Sequence, residues 1–346
     1  MNVNYYDIDK IMAMDFDQIE EVLALGVTLY SQNTLGNAIS KFGYSYAKGR
    51  HAGHFKFAYS GLYPVFEVNA DINVNGQNAY VYADGKLGYF KTGNADVDLD
   101  FAAYIPFTFN SHGLNRGLTP QIVWNFTNHY FTDTLLSKKV YNQELKYGIQ
   151  GYIMSPVAYS AIYPKWGIGL NVFGATSPYG GEYKGNSAAI YSYGYIPGFF
   201  SKHGIKLSVG YQRQWAKVFY LDNLISQPRG FDEELYADEY LTATFDYAMP
   251  IYLGNLHIPK ILFIKRFQLN PFFDFANTTY IYSQKLGVKQ SHQHYSYGAT
   301  FKVDCHVLGF GKPISAGVRY ARNHTTEKNL AGFKKNSVNF VMSVSF

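Results

Sequence analysis

The residues best placed to do chemistry lie in one stretch, NLISQPRGFDEELYADEY, which separates two segments of alternating apolar and polar residues. It contains Arg229, Gly230 and Phe231. An arginine guanidinium forms a forked, charge-assisted pair with a carboxylate that lysine cannot reproduce. Glycine adopts dihedral angles closed to other residues, and Phe231 offers an apolar anchor. The stretch therefore predicts a loop whose tip binds a carboxylate. The candidates are Asp246 and Asp274, which lie on the polar sides of the following alternating segments.

Other reactive groups form no recognisable constellation. No Ser-His-Asp spacing stands out, and the glycine-rich segment SPYGGEYKGN precedes no helix, so it does not predict a phosphate site. His292 and His294 are interpreted as surface residues rather than metal ligands because further ligands are lacking, and His51 and His54 are interpreted in the same way. We therefore predict no catalytic residue, no metal, no cofactor and no enzymatic activity.

Composition indicates the elements that must position these residues. The 346 residues include 33 Tyr and 27 Phe, and only 16% are charged, against about 25% in ordinary globular chains. No apolar run approaches the ~18 residues of a transmembrane helix. Abundant aromatic residues without such a run favour a transmembrane β-barrel over the alternative, a secreted β-sandwich. The net charge of +5 contains no basic block, so nothing indicates nucleic-acid binding.

Period-two alternation predicts an all-β fold. Asp96, Asp98 and Asp100, for example, share one face of a strand and are interpreted as a wetted wall. The single cysteine, Cys305, permits no internal disulfide and is interpreted as a small apolar residue of a strand face. Strands are predicted near 22–31, 36–47, 54–60, 64–74, 95–107, 117–130, 143–154, 166–175, 187–196, 204–214, 239–249, 262–276, 294–307, 313–322 and 337–346. Segment 79–91 is either another strand or part of a long loop. Since single-chain barrels use an even number of strands, we expect about 16 (14–16).

The chain ends in the segment SVNFVMSVSF, in which Phe340, Val344 and the terminal Phe346 share one face. This ending resembles the last strand of bacterial outer-membrane barrels, which assembly machinery reads during insertion. The resemblance strengthens the prediction of a transmembrane antiparallel β-barrel. With the C-terminus in the periplasm, the Arg229 loop becomes the sixth extracellular loop.

An Arg-Gly-Phe loop at this position resembles the BamA/TamA/FhaC-type superfamily of outer-membrane insertases and translocases. The similarity extends to TATFDYAMPIYL, to FQLNPFFDFANTTY and to the early hairpins, and covers residues from about 22 to 346. The resemblance implies that the sixth loop folds into the lumen and that Arg229 meets an acid there, with Asp274 preferred over Asp246. A weaker similarity, through the patterns SQN-x-L-G and Y-x-G-x-YP, is to barrels of Bacteroidetes surface antigens.

The resemblance implies a barrel at 22–346 in the outer membrane of a Gram-negative bacterium, preceded by a periplasmic remnant or linker at 1–21. It implies insertion or translocation of proteins. The expected partners are outer-membrane lipid or lipopolysaccharide, unfolded outer-membrane or secreted clients, and the assembly machinery. The alternative is a passive channel or surface antigen. Two departures are Pro228, where the family has Val or a similar residue, and the lack of a periplasmic domain ahead of residue 22.

Overall fold

The computed structural model describes residues 25–47, 50–83, 86–133, 138–179, 185–216, 218–231, 234–252, 256–258, 262–283, 288–307, 314–327, 330 and 332–344. The regular structure in these ranges is β-strand. No helix in this part of the chain is long and apolar enough to cross a membrane. The strands are β1 (Leu25–Gln32), β2 (Ala38–Ala47), β3 (Arg50–Tyr59), β4 (Val65–Asn73), β5 (Asn78–Ala83), β6 (Lys86–Lys91), β7 (Asp96–Tyr104), β8 (Phe107–Ser111), β9 (Leu114–Asp133), β10 (Lys138–Met154), β11 (Gly167–Thr176), β12 (Asn186–Pro197), β13 (Gly204–Trp215), β14 (Glu239–Ile251), β15 (Leu256–Ile258), β16 (Leu262–Ser283), β17 (Val288–Val307), β18 (Ile314–Thr325) and β19 (Asn336–Val344).

Most strands form one antiparallel meander. Its pairing order is β1-β2-β3-β4-β7-β9-β10-β11-β12-β13-β14-β16-β17-β18-β19. β8 continues β7 along the edge of β9, and β15 continues β14 along β16. The β5–β6 hairpin is an excursion between β4 and β7, and β5 lies parallel to the end of β9.

The strand prediction agrees closely with this topology. Each of the fifteen predicted strands coincides with one strand of the meander. The ambiguous segment 79–91 forms the β5–β6 hairpin. The predicted linker at 1–21 lies outside the described residues, so the total of about 16 strands stays a prediction.

The sheet has two chemically different faces. On β18, Val318 and Tyr320 are 48% and 47% exposed, whereas the intervening Arg319 is 4% exposed and Ala321 is fully buried. The face that carries exposed apolar side chains is called the outer face, and the opposite one the inner face. Cys305 follows the buried Asp304 in β17 and lies half-buried on the outer face, as predicted. The alternation places apolar groups outside and polar groups inside, as in a membrane barrel.

One loop shows that the sheet is curved. Phe219 stacks on Phe131 of β9 at 4.5 Å between ring centroids, while a Cβ on Gly230 would lie 2.7 Å from Ser337 Oγ of β19. Strands β9 and β19 are nine pairings apart, which in a flat sheet is about 43 Å at ~4.8 Å per strand. The twelve residues from 219 to 230, joined by eleven peptide links, span about 40 Å only when fully extended. This segment instead turns at Gly230 (φ +92°) and packs its apolar side chains on the sheet, which indicates that the sheet curls around the loop.

Candidate functional site

The loop at 216–238 joins β13 to β14, and its described residues (216, 218–231 and 234–238) lie against the inner face. It buries Leu221, Leu224, Ile225 and Leu235, each at most 5% exposed. These side chains form one apolar cluster with inward-facing residues of β7, β9, β11, β12, β14 and β16: Ala102, Val123, Phe173, Ala175, Ala189, Tyr191, Tyr193, Tyr240 and Ala276. The loop is therefore a packed element of the molecule.

Two glutamines of β13 hold the start of the loop. The side-chain amide of Gln214 accepts from the Leu221 N–H at 2.9 Å and donates to the Leu221 carbonyl at 3.0 Å. Gln212, which is fully buried, accepts from the Leu224 N–H at 2.6 Å. A buried backbone group without a hydrogen-bond partner is costly. The side-chain amides of Gln212 and Gln214 therefore supply the hydrogen bonds that a neighbouring strand would otherwise give to the loop backbone.

Aromatic and acidic groups hold the loop nearer its ends. Tyr220 stacks on Tyr236 at 6.2 Å between ring centroids, and Asp238 accepts from the Ile281 N–H at 2.7 Å. Burial, followed by the charge of Asp238, raises the pKa of the Tyr220 hydroxyl. The group therefore stays a neutral phenol near neutral pH.

Arg229 lies between the two acids that the sequence singled out. Its Nη2 and Nε donate to Asp274 Oδ1 and Oδ2 at 2.6 and 2.9 Å, and its backbone N–H donates to Asp274 Oδ2 at 2.9 Å. Nη1 donates to Asp246 Oδ1. The guanidinium also lies 4.0 Å from the ring centroid of Phe272. Asp274 is on β16 and Asp246 on β14, so one arginine bridges two neighbouring strands.

The pairing of β14 with β16 explains this placement. Asp274 lies opposite Thr244, and Asp246 lies opposite Phe272, so both acids and Phe272 share the inner face. The side chains of Arg229 and Asp274 are 7% and 0% exposed. A buried charge pair is stabilising only when its remaining hydrogen-bonding capacity is also satisfied. Here three donors of Arg229 reach Asp274 and a fourth reaches Asp246.

Gly230 and Phe231 fix the tip on the far side of Arg229. Gly230 has φ +92°, and an added Cβ would lie 2.6 Å from Asn323 Oδ1 and 2.7 Å from Ala321 Cβ, so glycine is required for both conformation and space. Asn323 Nδ2 donates to the Gly230 carbonyl at 2.7 Å. Ser296 Oγ donates to the Arg229 carbonyl. These contacts extend the tip across β17, β18 and β19.

His294 corrects the sequence interpretation. Predicted as a surface residue, it is fully buried on β17. Thr278 Oγ1 and Thr325 Oγ1 each lie 2.9 Å from one of its ring nitrogens, and its ring meets Phe231 edge-on at 5.7 Å. His294 therefore lies beneath the loop tip and contacts it through the Phe231 ring. His292, the other histidine of the predicted pair, is half-buried. In the described part of the chain, no three His, Cys, Asp or Glu residues lie close enough together to hold a metal ion.

Sequence reasoning missed most residues that hold the tip. Ser296, Asn323 and His294 lie on strands that were predicted, and each occupies the polar side of its alternation. That alternation is the signal that could have found them. It does not indicate which of many polar inner-face residues lies beneath the loop.

The other predicted residues lie apart from this cluster. Phe340 is 64% exposed on the outer face of β19, Val344 is the last residue of that strand, and Phe346 lies outside the described residues. Of the predicted wall acids, Asp96 lies 2.8 Å from His129 Nε2, and Asp100 accepts from Asn125 at 2.6 Å.

A curved antiparallel meander with an apolar outer face, a polar inner face and a loop packed inside it defines the class of the protein, an all-β barrel of the transmembrane type. The chain is similar in structure to CdiB from Escherichia coli, with a TM-score of 0.56 and 11% sequence identity over 93% of this chain. It covers 59% of the CdiB chain, so it spans about three fifths of that protein's length. At this identity the likeness shows the barrel fold alone. No protein-family model matches the chain, and neither does any curated protein.

Proposed function

We propose that this chain is an outer-membrane β-barrel of the BamA-type superfamily that acts in insertion or translocation of proteins. The observation that carries the proposal is the buried bridge from Arg229 to Asp274 and Asp246 at the tip of the loop between β13 and β14. The barrel fold shared with CdiB supports it. The Arg-Gly-Phe motif and the acids on the next two strands carry the sequence resemblance.

In this proposal the inner face is the lumen and the outer face contacts lipid. The loop then occupies the lumen and ties β14, β16, β17 and β18 together through Arg229, Ser296 and Asn323. Breaking a buried ion pair by removing one partner costs about 3–5 kcal/mol. The loop therefore holds the lumen in one working conformation.

The two edges of the meander supply a place for a client strand. Within the described residues no hydrogen-bonded pairing joins β1 to β19. The fourteen antiparallel pairings between them make β1 and β19 run in the same direction, so an antiparallel partner for either edge must come from another segment. Unpaired edge N–H and C=O groups bind an added strand. A client strand would pair with the edge of β1 or of β19 during insertion.

The remaining parts of the proposal concern partners. The apolar residues of the outer face, such as Val318 and Phe340, would contact outer-membrane lipid or lipopolysaccharide. Phe340 and Val344 of β19, together with the C-terminal Phe346, would form the signal that assembly machinery reads. The clients would be unfolded outer-membrane or secreted proteins.

Reconstitution of the full chain in bacterial phospholipid vesicles tests the function. An unfolded outer-membrane protein is added, and its folding is followed by heat-modifiable electrophoretic mobility. We expect the wild type to accelerate folding and the Arg229→Ala variant to lose most of this acceleration because its loop is released. Arg322→Ala, which removes an exposed arginine of β18, is the matched control and should act as the wild type does.

One result would contradict the insertion or translocation role, and another would contradict the part assigned to the loop. One is a client folding rate that the wild type leaves unchanged while the vesicles conduct ions. That result supports the alternative of a passive channel. The other is equal acceleration by Arg229→Ala and wild type, which removes the loop from the mechanism.

A further inference from the structure

A hydrogen-bonded chain of serine, histidine and aspartate lies on the inner face of β2, β3 and β4. Ser45 Oγ lies 2.7 Å from His54 Nε2, and His54 Nδ1 lies 2.5 Å from Asp71 Oδ1. An ionised carboxylate only accepts hydrogen bonds, so Nδ1 donates to Asp71, and in the neutral imidazole Nε2 then accepts from the Ser45 hydroxyl. This is the arrangement by which a serine nucleophile is paired with a base and the base with an orienting acid.

The register of three strands creates the arrangement. Asp71 of β4 lies directly opposite His54 of β3, and His54 lies opposite Gly43 of β2, two residues before Ser45. All three side chains therefore share the inner face. Sequence spacing did not reveal them because the residues belong to different strands, and His54 was interpreted as a surface residue.

Two small residues lie beside Ser45 on the neighbouring strands. The residues directly opposite Ser45 are Gly26 on β1 and Ala52 on β3. A Cβ on Gly26 would lie 3.4 Å from Ser45 Cβ, so the absence of a side chain keeps that side open. Ser45 is 8% exposed, whereas the side chains of His54 and Asp71 are 30% and 37% exposed. The imidazole and the carboxylate are therefore partly exposed, and a ligand at this site would approach the buried Ser45 hydroxyl past the imidazole.

The site lies at a defined end of the barrel. β2 and β13 are separated by eight antiparallel pairings and so run in the same direction. The C-terminal end of β2, with Ser45, is therefore at the end from which the 216–238 loop departs. Asp98 lies opposite Asp71, and Asp96 and Asp100 flank it on the same strand. An acidic wall of this kind disfavours a negatively charged substrate.

We propose that Ser45, His54 and Asp71 form a hydrolytic site for neutral or cationic carboxylic esters. The Ser45 Oγ attacks the ester carbonyl carbon, and its proton passes to His54 Nε2. His54 then gives that proton to the leaving alcohol oxygen as the carbon–oxygen bond breaks. Water, deprotonated by the same imidazole, attacks the acyl-Ser45 carbonyl, which releases the carboxylic acid and returns the proton to Ser45. Asp71 orients the imidazole and stabilises its protonated form, so it is a positioning residue.

Labelling with a fluorescent fluorophosphonate tests the nucleophile. The full chain, folded in detergent micelles, should become covalently labelled, and peptide mass spectrometry should find the adduct on Ser45. Ser45→Ala should abolish the label. Ser208→Ala is the matched control, because Ser208 is a buried inner-face serine whose hydroxyl contacts Thr244, and that variant should label as the wild type does. Heat-denatured wild type should not label, because only the fold assembles the three residues.

Variants of His54 and Asp71 test whether these residues activate the Ser45 hydroxyl or whether Ser45 is labelled only because it is accessible. Asp71→Asn should slow labelling at least about tenfold, since it removes the charge that orients the base. Asp71→Glu should recover part of the rate, and His54→Gln should lose it. Hydrolysis of a neutral p-nitrophenyl ester should follow the same order. Each variant is checked for heat-modifiable mobility, so loss of folding is recognised.

The proposal is overturned if folded wild type takes up no label or if Ser45→Ala labels equally well. Folded His54→Gln that labels at the wild-type rate also overturns it. These outcomes are independent of the proposed insertion or translocation function, which depends on Arg229.

Discussion

At the scale of single residues, Arg229 is held from several directions at once. Four of its N–H groups, including the backbone amide, point at Asp246 and Asp274, and its guanidinium covers the Phe272 ring. Lysine carries the same charge but presents it as a point, without the planar fork. The geometry, rather than the charge alone, accounts for arginine at this position.

Arg229→Lys should therefore release the loop although the charge is kept. We expect a loss of about 3 kcal/mol or more in loop docking, because one ammonium group cannot satisfy both carboxylates. The measurement is the rate of protease cleavage within 216–238 in the folded barrel. Arg322→Lys on the exposed side of β18 should leave that rate unchanged, and equal rates for both variants would contradict the role of the fork.

At the scale of elements, the loop at 216–238 is held by side chains that imitate a strand. Gln214 donates to and accepts from the Leu221 backbone, which is the pattern of a ladder pair. The apolar residues of the loop then pack in one cluster with inner-face residues such as Tyr191 and Tyr193. Local hydrogen bonds and burial together give an irregular segment a single conformation.

Gln214→Leu should loosen the start of the loop and leave its tip docked. The substitution keeps the volume but leaves the Leu221 N–H and C=O without partners, at a cost of about 1–3 kcal/mol. Hydrogen exchange at residues 219–225 should increase, while exchange near Gly230 should stay slow. Gln290→Leu on β17, whose side chain is exposed, serves as the control. Uniform exchange along the loop in Gln214→Leu would refute separate anchoring.

At the scale of the whole molecule, the alternation between the two faces determines what the barrel can contact. On β18 a half-exposed Val318 precedes a buried Arg319, so consecutive residues alternate between an apolar side chain on the outer face and a charged one on the inner face. An outer face of this kind is stable against lipid and unstable against water, where its exposed apolar area would drive association. The inner face carries the charged and amide groups.

Val318→Arg should impair insertion into lipid vesicles. An arginine on the lipid-facing side of a barrel costs about 2–4 kcal/mol near the bilayer midplane. The folded fraction in vesicles, read from heat-modifiable mobility, should decrease. Leu35→Arg is the control because Leu35 is 82% exposed in the turn between β1 and β2 and should not change that fraction. If Val318→Arg folds as well as Leu35→Arg, the outer face does not meet lipid.

Particular residues show how far prediction from sequence extended. Alternation located the fifteen strands of the meander, and the residue types of Arg229 and its candidate acids anticipated a contact that the structure contains, with Asp246 and Asp274 both engaged. His294 was misplaced because a histidine on a polar face can equally lie under a loop or in solvent. The Ser45–His54–Asp71 chain was missed because strand period does not specify which residues of adjacent strands lie opposite each other.

The sequence by itself determined the class of fold, since period-two patterning and side-chain size act locally along each strand. It also determined which residue types could form a buried charge pair. Only the tertiary structure decided the register between strands, the path of the loop over the inner face and the residues beneath its tip. Those features depend on pairing and packing between segments far apart in the chain, and no local pattern encodes them uniquely.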